Sequence, residues 1–196
     1  MRIFIFIFLA LVLSVFIGPL AITLARRLGA VDMPGSAMHK KHDSPTPLAG
    51  GLVLYIVLFI LIFFSNLRND PSFFALFAGG GIIFLFGMLD DIYGLTAPKK
   101  FLGQFLAATI VAYSGTTIRF LEAANLSLEL PIIIILNWGL TLFWIVGISN
   151  AFNLIDSMDG LVAGLTIIIA SFFTFAALVA GQVTLSQLTA ILIGLS

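Results

Sequence analysis

Charge is so sparse in this chain that its positions divide it into six long uncharged runs: 3–25, 44–67, 71–89, 101–118, 130–155 and 160–196. A helix needs roughly 20 apolar residues to cross a bilayer. Five of the runs fit one such helix each, and the last holds one helix plus the start of another. Charged residues make up 9% of the chain and apolar residues 61%. A typical soluble domain carries about 25% charge, and a chain of 196 residues has too little interior to hide this much apolar surface from water. The same numbers exclude a disordered chain, and with a net charge of zero they exclude a nucleic-acid-binding protein. The absence of cysteine excludes disulfides, thiolate catalysis and cysteine metal sites.

The pattern predicts an all-α fold: a polytopic membrane helical bundle with six full transmembrane helices plus the start of a seventh, in a single domain over 1–196. Helices are expected near 3–25, 48–66, 72–89, 101–116, 131–149 and 162–180. The chain stops at Ser196 about ten residues into the seventh apolar segment, too few to cross, so it reads as truncated at its C-terminus. The first run is longer than a signal-peptide core and lacks a cleavage site, so it reads as a retained helix. Arg26, Arg27, Lys40, Lys41, Lys99 and Lys100 fall on one side of the predicted layout, and Arg2, Arg68 and Arg119 on the other. The positive-inside bias then puts 26–47, 90–100 and 150–161 in the cytoplasm.

The unusual polar residues all lie in those three segments. The first contains Val31-Asp32-Met33-Pro34 and His39-Lys40-Lys41-His42, then Pro45, Pro47, Gly50 and Gly51. Its prolines and glycines indicate an ordered turn, either a basic loop at lipid headgroups or a phosphate-binding edge. In the second, Asp90 and Asp91 sit at the C-terminal end of an apolar helix, the wrong end for anions. At ~5 Å and an effective dielectric of ~20 two such charges repel by about 3 kcal/mol. A bound cation or pairing with Lys99 and Lys100 would relieve this. Carboxylates at a membrane edge are expensive and mark function by default. The third segment places Asn150, Asn153, Asp156 and Asp159 three residues apart. An α-helix turns about −60° for each such step, so neighbours share a face but the set does not; a 3₁₀ stretch or a break near Gly160 and Gly164 would align them. Amides and carboxylates supply the hard oxygens that suit Mg²⁺. Hydrogen bonding between helices accounts for the asparagines, but less readily for the two aspartates. Gly79-Gly80-Gly81 reads as close helix packing.

Taken together, the first loop through Leu48-Ala49-Gly50-Gly51, Leu89-Asp90-Asp91 with Gln104, and Asn150-Ala151-Phe152-Asn153-Leu154-Ile155-Asp156-Ser157-Met158-Asp159-Gly160 resemble the polyprenyl-phosphate N-acetylhexosamine-1-phosphate transferases. The branch that transfers N-acetylglucosamine-1-phosphate to undecaprenyl phosphate is nearest. The resemblance implies transfer of a sugar-1-phosphate from a UDP-N-acetylhexosamine to a polyprenyl phosphate, with release of UMP and use of Mg²⁺. This is the first membrane step of cell-envelope polysaccharide synthesis, on the cytoplasmic face of a bacterial inner membrane. It further implies that Asp90 and Asp91 are catalytic and orient or deprotonate the lipid phosphate. Asn153 and Asp156 would serve the metal, and His42, Lys100, Asn150 and Asp159 would bind substrate. A homodimer stands as the assembly to test. Gly94 replaces an aspartate often found in the family, and the family's later Gly-Asp motif and His-rich loop have no counterpart in these 196 residues; the chain alone is therefore expected to be inactive. The competing reading is a transporter or ion-conducting protein, in which acidic groups would line a path near the bilayer midplane.

Overall fold

In the computed structural model, residues 2–32, 46–119, 121, 129–156 and 160–196 are described. Among them are seven α-helices: α1 (Arg2–Leu28), α2 (Gly50–Phe63), α3 (Pro71–Tyr93), α4 (Ala97–Tyr113), α5 (Leu130–Ile155), α6 (Leu161–Val179) and α7 (Val183–Leu195). The termini follow from local chemistry. Arg26 and Arg27 occupy the last turn of α1, where cations complement the helix dipole, and Gly29 leaves it with φ 75°. Asp70 caps α3, its Oδ1 accepting from the Ser72 N–H at 3.0 Å, with Pro71 in the first turn.

Four helices are long and apolar enough to cross a membrane: Arg2–Leu28, Ser72–Tyr93, Leu130–Ile155 and Leu161–Val179. Their outward faces remain apolar, as Phe4 (75% exposed), Phe16 (72%) and Ile135 (70%) illustrate; such surface is stable against lipid rather than water. The six full spans expected from sequence are thus only partly matched. α2 has 14 residues and α4 has 17, or about 21 and 25 Å at 1.5 Å per residue. α2 stops because Ser65 turns extended and its Oγ accepts from the Leu67 N–H, starting a short 3₁₀ helix at Asn66–Asn69. The seventh segment is longer than expected, and α7 packs between α1 and α6. Gly194 permits the α1 approach: a side chain there would collide with the Ile7 carbonyl.

The bundle has two kinds of seam. One is apolar, with Ala10 (α1), Val57 and Leu61 (α2), Leu67, Phe73 (α3) and Ile191 (α7) fully enclosed. Tyr55 stacks between Phe77 and Phe84 at 4.5 and 5.2 Å along α2 and α3. The other consists of small residues. A Cβ on Gly79 would fall 2.9 Å from Val111, and one on Gly103 would strike the Phe86 ring, so these glycines let α3 and α4 approach closely, as the triple glycine implied. Buried polar side chains among the described residues are uncharged, among them Thr174 and Thr189, joined at 2.7 Å across α6 and α7.

The first loop is pinned at its base by a two-residue antiparallel pair, β1 (Val31–Asp32) with β2 (Thr46–Pro47), and by the Leu48 N–H donating to the Ala30 carbonyl at 2.9 Å. This agrees with the expected ordered turn. His42 and the rest of 33–45 lie outside the described residues, as does Asp159.

Candidate active site

The turn between α3 and α4 is built around Asp90. Gly94 takes the left-handed conformation (φ 64°) that ends α3, and its N–H donates to the Asp90 carbonyl at 2.8 Å. Asp90 Oδ1 accepts from the Leu95 N–H at 2.8 Å, and Oδ2 meets Lys100 Nζ at 2.6 Å. Both ionic side chains are partly exposed. The carboxylate at the negative end of α3 is therefore compensated by a backbone donor and a cation from the first turn of α4. Asp91, the next residue, is exposed and lies at the mouth of two cavities.

The first of these holds about 240 Å³ and is lined by Ile83, Phe86, Gly87, Asp90, Asp91, Lys100, Gln104, Ser149 and Asn153. Three helices supply it at four-residue spacing: Ile83, Gly87 and Asp91 from α3, Lys100 and Gln104 from α4, and Ser149 and Asn153 from α5. Residues four apart share a helix face, and this spacing was readable in the sequence. Sequence reasoning alone assigned no role to Gln104, Ser149 or Gly87. The second cavity, about 180 Å³, reaches Asp91 from the other side through Ala30, Leu48 and Leu52. The described parts of the second and third polar segments, and the residues flanking the first loop, thus converge at one end of the bundle.

α5 remains a regular helix through Ile155, well past the expected end at 149. The reason is local. Ser149 Oγ donates to the Ile145 carbonyl at 2.8 Å and Asn150 Nδ2 to the Val146 carbonyl at 2.8 Å, so both polar side chains are satisfied inside the helix. The break falls at Asp156, the C-cap, and Gly160 starts α6 with φ 76°. Among the described residues no 3₁₀ stretch aligns Asn150, Asn153 and Asp156, and the three diverge. Asn150 faces α4, where its Nδ2 donates to Gln104 Oε1 at 2.7 Å and its Oδ1 accepts from Gln104 Nε2 at 3.4 Å. Asn153 faces the cavity. Asp156 is exposed at the helix end and outside the cavity lining.

Among the described residues, no group of three His, Cys, Asp or Glu side chains is gathered as a metal site. The oxygens at the cavity, from Asp91 and Asn153, are hard donors of the kind Mg²⁺ takes together with water and phosphate. They fit a metal that shares its shell with a substrate better than one held by protein alone.

Residues 73–196 match glycosyl transferase family 4. The chain belongs to that family. Similar proteins include the probable undecaprenyl-phosphate N-acetylglucosaminyl 1-phosphate transferase of Bacillus subtilis, 35% identical over 98% of this chain and 53% of the relative. The decaprenyl-phosphate N-acetylglucosaminephosphotransferase of Mycolicibacterium smegmatis is 37% identical over 75% of this chain and 38% of the relative. The phospho-N-acetylmuramoyl-pentapeptide-transferase of a Thermoanaerobacter species is 34% identical over 94% of this chain and 62% of the relative. The chain spans about half the length of the curated relatives it matches. No solved structure matches it. These relatives are phospho-sugar transferases by name, and the transporter reading is not favoured.

Proposed function

We propose that this chain forms part of an Mg²⁺-dependent transferase that moves an N-acetylhexosamine-1-phosphate, N-acetylglucosamine-1-phosphate by preference, from its UDP-sugar to a polyprenyl phosphate and releases UMP. The carrying observation is the single cavity in which Asp90, Asp91, Lys100 and Asn153 meet from three helices. Phosphoryl transfer needs in-line positioning and charge neutralisation more than covalent chemistry from the protein. Lys100 supplies a cation, held in place by Asp90. Asp91 is placed to orient the attacking oxygen of the lipid phosphate, which is already largely ionised near neutral pH, so its task is alignment more than proton removal. Asn153 at the cavity would hold Mg²⁺, which supplies charge neutralisation at the diphosphate, and Asp156, exposed at the helix end outside the cavity lining, would reach it only through water or the bound substrate. His42 and Asp159, which lie outside the described residues, complete the proposed set.

In this reading α2 and α4 complete six crossings, α2 with help from the 3₁₀ helix that follows it. The cavity opens to the cytoplasm of a bacterial inner membrane, where a UDP-sugar is available, and the assembly could be a homodimer. Two measurements test this. Membranes containing the complete gene product should transfer label from UDP-N-acetylglucosamine to added polyprenyl phosphate only with Mg²⁺ present, and should release UMP in equal amount. Absence of transfer with every UDP-N-acetylhexosamine tried contradicts the reading. Cysteines placed at Ser44 and Ser157 should resist an impermeant thiol reagent applied from outside intact cells; efficient labelling of either reverses the orientation.

A further inference from the structure

The Gln104–Asn150 pair admits one assignment of its amides. A backbone carbonyl can only accept, so the Val146 carbonyl at 2.8 Å fixes which end of Asn150 is Nδ2. That same nitrogen meets Gln104 at 2.7 Å, which makes the facing Gln104 atom Oε1 and sends Nε2 toward Asn150 Oδ1 at 3.4 Å. Asn150 has two N–H groups, and both are committed, one to α5 itself and one to α4. Gln104 has used only one of its two, and Gln104, not Asn150, lines the cavity beside Lys100, one turn along the same helix. An amide N–H of a half-buried residue that lines a polar cavity is costly to leave unmatched.

We propose that Gln104 is a binding residue whose second Nε2–H donates to a phosphate oxygen held by Lys100, and that Asn150 is the positioning residue that locks Gln104 in the donor-inward orientation. This rests on the reading of the cavity as a phosphate-transfer site. The phosphate is either that of the polyprenyl acceptor or one of the UDP-sugar diphosphate; the chemistry is shared, and kinetics separate the two.

The complete gene product is assayed with each substrate varied while the other is saturating. Gln104→Met keeps length and volume but removes the donor, and should raise KM for one phosphate substrate by about tenfold; which KM moves identifies the source. Gln104→Glu keeps the oxygen that accepts from Asn150 but replaces the donor with an anion. Its transfer rate relative to wild type should be lower than that of Gln104→Met at pH 8, and should climb at least tenfold between pH 8 and pH 5.5, as protonation restores an O–H donor. Dividing by the wild-type rate removes the pH dependence that the two enzymes share. A purely structural pair gives a pH-independent ratio. Asn150→Asp, which loses the orienting donor, should reproduce the KM change of Gln104→Met in weaker form.

The proposal is overturned if neither KM moves in the Gln104 variants that fold, or if the Gln104→Glu ratio is flat with pH. Should Gln104→Glu fail to accumulate, the KM values of Gln104→Met decide alone. Wild-type transfer with unmoved KM values contradicts this inference only, whereas no wild-type transfer contradicts the function reading itself.

Discussion

Two helices end at the same face of this bundle with an aspartate at a C-terminus, and they are finished in opposite ways. At the end of α3, Asp90 is closed off: a left-handed glycine, the Leu95 N–H and Lys100 all answer it within ten residues of chain. At the end of α5, Asp156 is exposed, no basic residue sits in the last turn, and no side chain caps the start of α6. Both helix ends carry negative dipole charge. The first is neutralised by the protein, which makes it a rigid platform. At the second, no cation answers the carboxylate among the described residues. Under the proposed function, the difference separates a wall of the site made by the protein from a part completed by ligand.

The comparison can be broken at its strongest point first. Asp90→Asn should lower turnover by about 10²-fold or more, because Lys100 loses the partner that places it, and steady-state kinetics on the complete gene product reads this. Near-normal turnover would reduce the α3–α4 turn to a loop start. On the other side, Asp156→Asn should weaken Mg²⁺-dependent UDP-sugar binding by several-fold, and by more than Asp159→Asn does. Affinity measured across a range of Mg²⁺ concentrations would show it, and an unchanged Mg²⁺ dependence removes Asp156 from the metal site. The smallest effect sharpens the distinction between stability and function. Lys100→Gln should cost no more than about 1 kcal/mol of stability, because a partly exposed ion pair contributes about that at most. Denaturation in detergent measures it, and a much larger loss would mean that the pair holds the bundle together rather than the site.

Much of this was legible before any coordinates. The charges marked most of the helices, and the three polar segments that carry Asp90, Lys100 and Asn153 were legible as segments. The i, i+4 stripes also carried Gln104, quoted in the second motif without a role, and Ser149, which received none. Other features needed the third dimension. α5 runs six residues past its expected end because Ser149 and Asn150 are satisfied inside the helix, but the second partner of Asn150, Gln104, lies 46 positions away in the chain. The shortness of α2 depends on one hydroxyl cap at Ser65. Apolar composition says that a segment prefers lipid, but not where a polar side chain will find its partner.

The most direct test of the central claim, that the cavity between α3, α4 and α5 is where phosphate is transferred, falls on Asp91, which lines it beside Lys100, Gln104 and Asn153. Transfer from UDP-N-acetylglucosamine to polyprenyl phosphate should be measured for Asp91→Asn in the complete gene product, alongside its melting temperature. The account predicts a loss of about 10²-fold or more in a protein that still folds, because the isosteric asparagine keeps the shape and hydrogen-bonding capacity of the side chain at the exposed end of α3. Transfer within a factor of two of wild type, in a protein that melts normally, would contradict it.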